Sequence, residues 1–247
     1  MKKYLLITLT LLVTFVCQAQ DTRYFEMRQY TVHEGKMPDL VSRFQNHTLD
    51  LFEKHGIENI AYFLPTDENP GFLTFILAYP DKDSRDKFWQ AFGNDPDWQK
   101  AYKESEANGP LVSKVNQTFM HTAPELSPKG INFDNAGDRV FELRTYTMHP
   151  GRVANINARF RDHTRTLFEN HGMTNIVYWF TEAKEGEQTQ LVYLLAHKDE
   201  AAGNASFLTF RDDPAWVSVR DASEADGKIV EKVESVYFKP LPFSPLK

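Results

Sequence analysis

The chain has 247 residues, 41% of them hydrophobic and 13% aromatic, with a formal net charge of −6. That composition is ample for a globular core, and the acidic balance gives no electrostatic reason to expect a nucleic-acid backbone or an anionic lipid surface as a partner. A single cysteine, Cys17, rules out an intrachain disulfide framework and a multi-cysteine metal site.

Residues 1–19 read as an export leader. Lys2 and Lys3 give a basic start, Leu5 to Val16 is an almost unbroken apolar run, and Cys17-Gln18-Ala19 offers small residues for cleavage. The run is too short to span a membrane comfortably. Acylation of Cys17 is the weaker alternative, because bulky Val16 precedes it. Cleavage removes Cys17, Lys2 and Lys3, so two positive charges go and −6 becomes −8. The expected location is periplasmic or extracellular.

Self-similarity then organises the rest. Tyr24 to Tyr62 aligns without a gap on Val140 to Tyr178 at an offset of 116, with 19 of 39 positions identical. After a loop of unequal length the offset becomes 118, and Asp95 to Trp98 matches Asp213 to Trp216. Two repeats follow, 20–121 and 139–238, each of ordinary domain size. They are joined by a Pro-, Gly- and Asn-containing linker at 122–138 and followed by a tail at 239–247.

Within the first repeat, Tyr24 to Tyr30 alternates and predicts a strand, and the turn at His33-Glu34-Gly35 leads into a helix. Its apolar stripe is Met37, Leu40, Val41, Phe44, Leu51 and Phe52, and Gly56 stops it. Strands are predicted near Ile57 to Leu64 and Phe72 to Tyr79. A second helix from about Ser84 is interrupted near Gly93 and Pro96, and a last strand runs from about Leu111 to Met120. The order β-α-β-β-α-β is the ferredoxin-like unit, and the fold class is α+β. The middle strands, such as Phe72 to Leu77 and Leu191 to Leu195, are apolar on both faces. An open two-layer unit would leave one of those faces in water. The cover is expected to be the other repeat's sheet, which closes an intrachain pseudo-dimeric α+β barrel.

The openings Phe25-Glu26-Met27-Arg28-Gln29-Tyr30-Thr31 with Gly35-Lys36, and Phe141-Glu142-Leu143-Arg144-Thr145-Tyr146-Thr147 with Pro150-Gly151-Arg152, resemble the start of NIPSNAP domains. The pairs His55-Gly56 and His171-Gly172 and the two Asp-Pro-x-Trp elements fit the same pattern. The resemblance implies the dimeric α+β barrel fold, whose members include cofactor-free monooxygenases, haem-dependent enzymes and stress-responsive proteins. It implies no catalytic residues that can be carried over, and fold does not fix function.

The candidate ligand-binding residues are Tyr24, Glu26, Arg28 and Tyr30 with Glu142, Arg144 and Tyr146. They are expected to face the barrel interior, the Glu and Arg of each strand pairing with one another; a satisfied ionic seam is the plainer reading. His47 and His163 are expected beside the packed stripe, and His55 and His171 as helix C-terminal dipole contacts. His121 and His197 are not duplicated by the repeat and fall at strand ends. No metal site is expected, and no cofactor, haem being disfavoured. Phe88, Trp89, Phe92, Trp98 and Tyr102 read as packing or interface rather than an aromatic cage.

Three functions remain. The leading one is a binding or interaction protein with a cavity for a small, partly apolar ligand. The alternative is a cofactor-independent monooxygenase or isomerase. A third is a structural module assembling as a homo-oligomer through its helices or its Pro-rich tail, Lys239 to Pro245.

Overall fold

The computed structural model describes residues 20–68, 70–127, 129–131 and 138–247. The expected leader lies outside the described residues, as does the middle of the expected linker.

Each repeat forms the predicted unit. The first runs β1 (Tyr24–Val32), α1 (Met37–Arg43), α2 (Leu49–Lys54), β2 (Glu58–Pro65), β3 (Phe72–Tyr79), α3 (Lys82–Gly93), α4 (Pro96–Ser105) and β4 (Val112–Thr122). The second runs β5 (Val140–Met148), α5 (Val153–Arg159), α6 (Arg165–Asn170), β6 (Thr174–Thr181), β7 (Gln190–His197), α7 (Glu200–Asp212), α8 (Pro214–Ser223) and β8 (Val230–Pro240). Asp81, Asp95, Asp199 and Asp213 cap α3, α4, α7 and α8 by accepting backbone N–H bonds, the role that short acidic side chains fill at helix starts.

The eight strands close in the order β1-β3-β2-β8-β5-β7-β6-β4, so β1 and β5 stand opposite each other across the lumen. Two seams join the halves: Phe63 to Pro65 pairs with Phe238 to Pro240, and Met120 to Thr122 pairs with Trp179 to Thr181. Both faces of the middle strands are indeed buried. One face meets the other sheet, in a lumenal cluster that includes Phe25, Phe63, Ile76, Phe141, Trp179 and Leu194. The other meets the helices, through Tyr62, Phe75, Leu77 and their counterparts Tyr178, Tyr193 and Leu195.

Two features depart from the sequence expectation. The first helix is broken by a π turn at Phe44–Thr48, repeated at Phe160–Thr164. The Thr48 hydroxyl donates to the Arg43 carbonyl and Thr164 to Arg159, both at 3.1 Å, so each carbonyl at the wider turn keeps a donor. The extra residue turns His47 and His163 out to solvent instead of beside the stripe. Second, linker and tail are straps. Ala123 and Leu126 are buried in the second half, and Tyr178 N–H donates to Ser127 Oγ at 2.7 Å. The tail does the same for the first half: Leu241 N–H donates to the Tyr62 carbonyl, Tyr62 N–H to Ser244 Oγ at 2.9 Å, and Leu246 is fully buried in the lumenal cluster. Leu241 and Leu246 of the tail are thus buried inside the chain, while Pro242 and Pro245 are exposed. Among the described residues no helix is long and apolar enough to cross a membrane.

Leu246→Ala is therefore expected to behave as a core truncation, lowering the urea unfolding free energy by about 2–5 kcal/mol. Leu208→Ala, at a side chain that is 56% exposed, should stay within about 0.5 kcal/mol of the parent.

Candidate functional site

The alternation of β1 puts Tyr24, Glu26, Arg28 and Tyr30 on one face, but it is the face under the helices. Phe25 belongs to the lumenal cluster and Met27 packs against it, while Tyr24 and Tyr30 belong to the sheet–helix layer. The same holds for β5, where Phe141 is lumenal and Tyr146 packs under the helices. The orientation expected from sequence is thus reversed. The reason is steric and electrostatic: an eight-stranded lumen is just wide enough for side chains to fill, so apolar residues occupy it, and the charges go where helix side chains reach them.

Glu26 is fully buried and holds six donors. Its Oε1 accepts from Arg28 Nη1 (2.6 Å), Arg85 Nη2 (2.9 Å) and Gln117 Nε2 (3.2 Å). Its Oε2 accepts from the Tyr79 hydroxyl (2.8 Å), Arg85 Nε (3.0 Å) and Trp89 Nε1 (3.2 Å). Burial opposes its charge, but the Arg85 hydrogen bonds and the charges of Arg28 and Arg85 outweigh that and hold the carboxyl below its ordinary 4.5. The Arg28 guanidinium lies 4.3 Å from the centre of the Trp89 ring and 5.4 Å from that of Tyr30, sandwiched as a cation between aromatic faces.

The second half keeps the carboxylate and changes its company. Glu142 accepts from Arg144 Nη1 and the Ser235 hydroxyl, both at 2.5 Å, and its Oε2 lies 3.0 Å from His197 Nε2. Burial opposes this charge too, and the His197 bond and the Arg144 charge overcome it. His197 stands where the first half has Tyr79, Ser235 where it has Gln117, and Gly203 where it has Arg85. That glycine is forced: a Cβ there would lie 2.7 Å from the Tyr237 hydroxyl and 3.0 Å from the His197 ring. His197 is thus a buried partner of Glu142, not an exposed strand end, whereas His121 is exposed beside the Tyr24 ring.

His55 and His171 hold more than a dipole. His55 Nε2 lies 2.6 Å from Asp95 Oδ2 and His171 Nε2 2.8 Å from Asp213 Oδ2, tying the end of each first helix to the cap of α4 or α8. Lys54, His55 and the Asp97 backbone N–H hold the Asp95 carboxyl far below its ordinary value. The His-Gly and Asp-Pro-x-Trp elements are the two ends of one contact.

Between β1 and the helices of the first half lies a cavity of 310 Å³. Its walls are largely aromatic, with Tyr30, Phe44, Trp89, Trp98 and Tyr102 among them, and Arg43 and Glu106 supply charge. Arg43 Nη1 donates to Glu106 Oε1 at 3.1 Å, its guanidinium lies over the rings of Trp98 and Tyr102, and its buried Nε, like that of Arg159, has no hydrogen-bond partner among the described residues. Burial and the Glu106 charge push the Tyr102 hydroxyl up, so it stays a donor at neutral pH. Of the aromatic set read as packing, Phe92 is buried core, yet it also lines this cavity together with Trp89, Trp98 and Tyr102. The Arg43 tie repeats as Arg159 to Glu224 (3.0 Å) and is part of the fold. Trp89 and Tyr102 do not repeat, since Phe207 and Arg220 match them. Sequence reading missed Arg43, Tyr79, Arg85, Glu106 and Gln117. The usable signal was that the positions around the two buried glutamates differ together between the repeats. Among the described residues no group of three His, Cys, Asp or Glu is arranged to hold a metal ion.

Removing the Glu26 charge leaves Arg28 uncompensated and Arg85 with Asp86 alone, so Glu26→Gln should cost about 3–5 kcal/mol in urea unfolding at pH 7. The acid response follows in sign. A carboxyl depressed in the folded state stabilises fully above its unfolded pKa, near its ordinary 4.5, and that contribution is lost as pH falls through the folded value. Stability should drop below about pH 4.5 in the parent and drop less in Glu26→Gln, read from urea midpoints between pH 7 and 3.

Among curated proteins none matches the sequence. Solved structures of similar fold include a "putative monooxygenase" from Fusobacterium nucleatum subsp. nucleatum (10% identity, covering 89% of this chain and 93% of that one, TM-score 0.56). They also include a "putative monooxygenase" from Lactobacillus acidophilus (11% identity, covering 89% and 94%, TM-score 0.57) and an "anthrone oxidase-like protein" (10% identity, covering 91% and 93%, TM-score 0.51). At these identities the likeness is one of fold. The NIPSNAP family model matches residues 25–126 and again residues 141–245, and the chain belongs to the NIPSNAP family as a tandem of two such domains.

Proposed function

We propose that this protein binds a planar aromatic molecule bearing hydroxyl or carbonyl groups, in the cavity between β1 and the helices of its first half. The observation that carries this reading is the 310 Å³ aromatic chamber whose wall includes Trp89 and the Tyr102 hydroxyl, at positions where the second half has Phe207 and Arg220. Cavities of that size, mostly apolar with a few convergent polar groups, are how small-molecule sites are built. In this reading Tyr30 is part of the wall, and Arg28, paired with Glu26, supports it from behind the Trp89 ring. Tyr24, Glu26, Glu142, Arg144 and Tyr146 are assigned to holding the two sheet–helix layers, since Glu26 has its capacity filled by protein donors. The expected export through residues 1–19 belongs to the same proposal, and fractionation with an antibody to the C-terminal half tests it.

The second reading is a cofactor-independent monooxygenase, favoured by the three fold neighbours named as oxygenases or oxidase-like. In that chemistry a ring CH2 conjugated through the flanking aromatic rings to a carbonyl, as in an anthrone, reacts with dioxygen as oxidant to give C=O and water. Glu106 is the one carboxylate among the residues lining this cavity and would take the first proton. Glu26 is disfavoured as the base because its lone pairs are occupied by protein donors and its lowered pKa makes it a weak proton acceptor.

Titrating the protein with a hydroxyanthraquinone should quench Trp89 and Trp98 fluorescence saturably. Tyr102→Arg, which copies the second half, should weaken binding about tenfold or more, about 1.4 kcal/mol. No saturable quenching, or equal affinity in that variant, overturns the binding reading. An anthrone converted under air by the parent, and by Glu106→Gln at least about a hundredfold more slowly at unchanged affinity, would establish the enzyme.

A further inference from the structure

A second cavity, of 360 Å³, opens at one end of the barrel lumen and is lined by both halves. Its place follows from the seams. The two sheets pair across each seam over three residues, with one flanking backbone bond at Phe119 and one at Tyr237, and beyond these the wall parts and β4 and β8 run on paired only with β1 and β5 of their own halves. Phe25, Phe63 and Trp179 fill the lumen deeper in, leaving the mouth open above them.

The two walls of this mouth differ. On the first half, Thr74, Gln29 and Asn116 lie abreast on β3, β1 and β4, a row of hydroxyl and amides. On the second half the matching row is Val192, Thr145 and Glu234 on β7, β5 and β8, with Leu143 and Val236 beside it. Thr74 is 2% exposed and lines the cavity, and its hydroxyl has no hydrogen-bond partner among the described residues. Phe75 and Leu73 beside it face the helices, so the strand's alternation aims Thr74 into the lumen. The amide pair above it is loose, Asn116 Nδ2 donating to Gln29 Oε1 at 3.3 Å. None of the residues lining the mouth is cationic, and its single carboxylate, Glu234, is met from the rim by Lys232 Nζ at 2.8 Å.

We propose that the barrel mouth is a second binding site, for a neutral polyhydroxy molecule of monosaccharide size. The chemistry selects the class. Amides and hydroxyls with free donor and acceptor capacity match groups that both give and take hydrogen bonds, as sugar hydroxyls do. The facing wall of Leu143, Val192 and Val236 suits the C–H face of such a ring. An anion would meet Glu234 and no lining cation, and a wholly apolar ligand would leave the Thr74 hydroxyl unpaired and cover the remaining capacity of the Gln29–Asn116 amide pair, which is the arrangement binding sites reject most strongly. This site is independent of the aromatic cavity, which lies on the other face of β1 and in one half only.

The test is saturation-transfer NMR on the full chain with glucose, galactose, N-acetylglucosamine and myo-inositol, and with glucuronate as the anionic control. At least one neutral member should receive saturation and glucuronate should bind more weakly than glucose. Thr74→Val and Gln29→Thr each place the second half's residue at its matching position, so the fold should accept them with an unchanged urea midpoint. Each should raise the dissociation constant of that ligand about tenfold, the scale of a lost buried hydrogen bond. Trp98→Ala, in the aromatic cavity, should leave it unchanged. Saturation of no neutral member, equal affinity in both mouth variants, or tighter binding of glucuronate would overturn the proposal and leave a solvated barrel end only.

Discussion

The structure depends on one constraint: a four-stranded sheet that is apolar on both faces cannot stand in water on either. Helices cover one face of each sheet, and the other repeat's sheet covers the other face. Closure follows, and with it a lumen in which Phe25, Phe141 and Trp179 interdigitate. The seams that join the sheets are short, three residue pairs each. Backbone pairing alone is a thin join, and the straps reinforce it. Residues after each repeat cross to the seam strand of the other half, β6 or β2, where Ser127 and Ser244 accept N–H bonds from Tyr178 and Tyr62. Each half is thus completed by chain belonging to its neighbour in sequence, which couples the two halves beyond what lumenal packing gives.

Under that symmetric frame the two sheet–helix layers have gone separate ways. A buried carboxylate on the first strand is a demand for donors, and each half meets it differently. Arg28, Arg85, Trp89, Tyr79 and Gln117 surround Glu26, while Arg144, His197 and Ser235 serve Glu142. The substitutions are mutually dependent. Losing the Arg85 side chain at Gly203 makes the space that the His197 and Tyr237 rings occupy, and an imidazole at the Tyr79 position restores a donor. Two copies of one chain in a homodimer would have to share every such change. Fusing them in one chain removes that restriction, and the aromatic cavity of the first half, with Trp89 and Tyr102 where the second has Phe207 and Arg220, is where the freedom is visible.

Much of the frame was legible because it repeats. The offset between Tyr24 and Val140, the period of the strands and the double-sided greasiness of Phe72 to Leu77 determine the unit, its duplication and the closed barrel. Which way β1 faces was not legible, since both of its faces are half-apolar and alternation alone does not say which neighbour is a helix. The π turns were hidden because a single added residue leaves the hydrophobic stripe nearly intact while swinging His47 outward. The tie between His55 and Asp95 spans 40 residues, and a sequence shows such a link only as two motifs that occur together. Arg85 was overlooked because the repeat does not echo it, although that lack of echo is the mark of a residue released from symmetric duty.

The same reasoning separates two kinds of place in this fold. A feature duplicated in both halves, such as the Arg43 and Arg159 ties or the two π turns, is explained by the barrel and needs no ligand. A feature present in one half must be explained by something the other half lacks, and packing cannot be that reason when the matching position packs equally well with another side chain. Thr74 opposite Val192 is such a case on the lumenal side, as Tyr102 opposite Arg220 is on the helical side. At Thr74 the symmetric alternative, valine, would bury no unpartnered hydroxyl, so the threonine is the costlier choice for folding alone. A side chain retained against its own packing interest is the strongest mark of function that a repeat can carry.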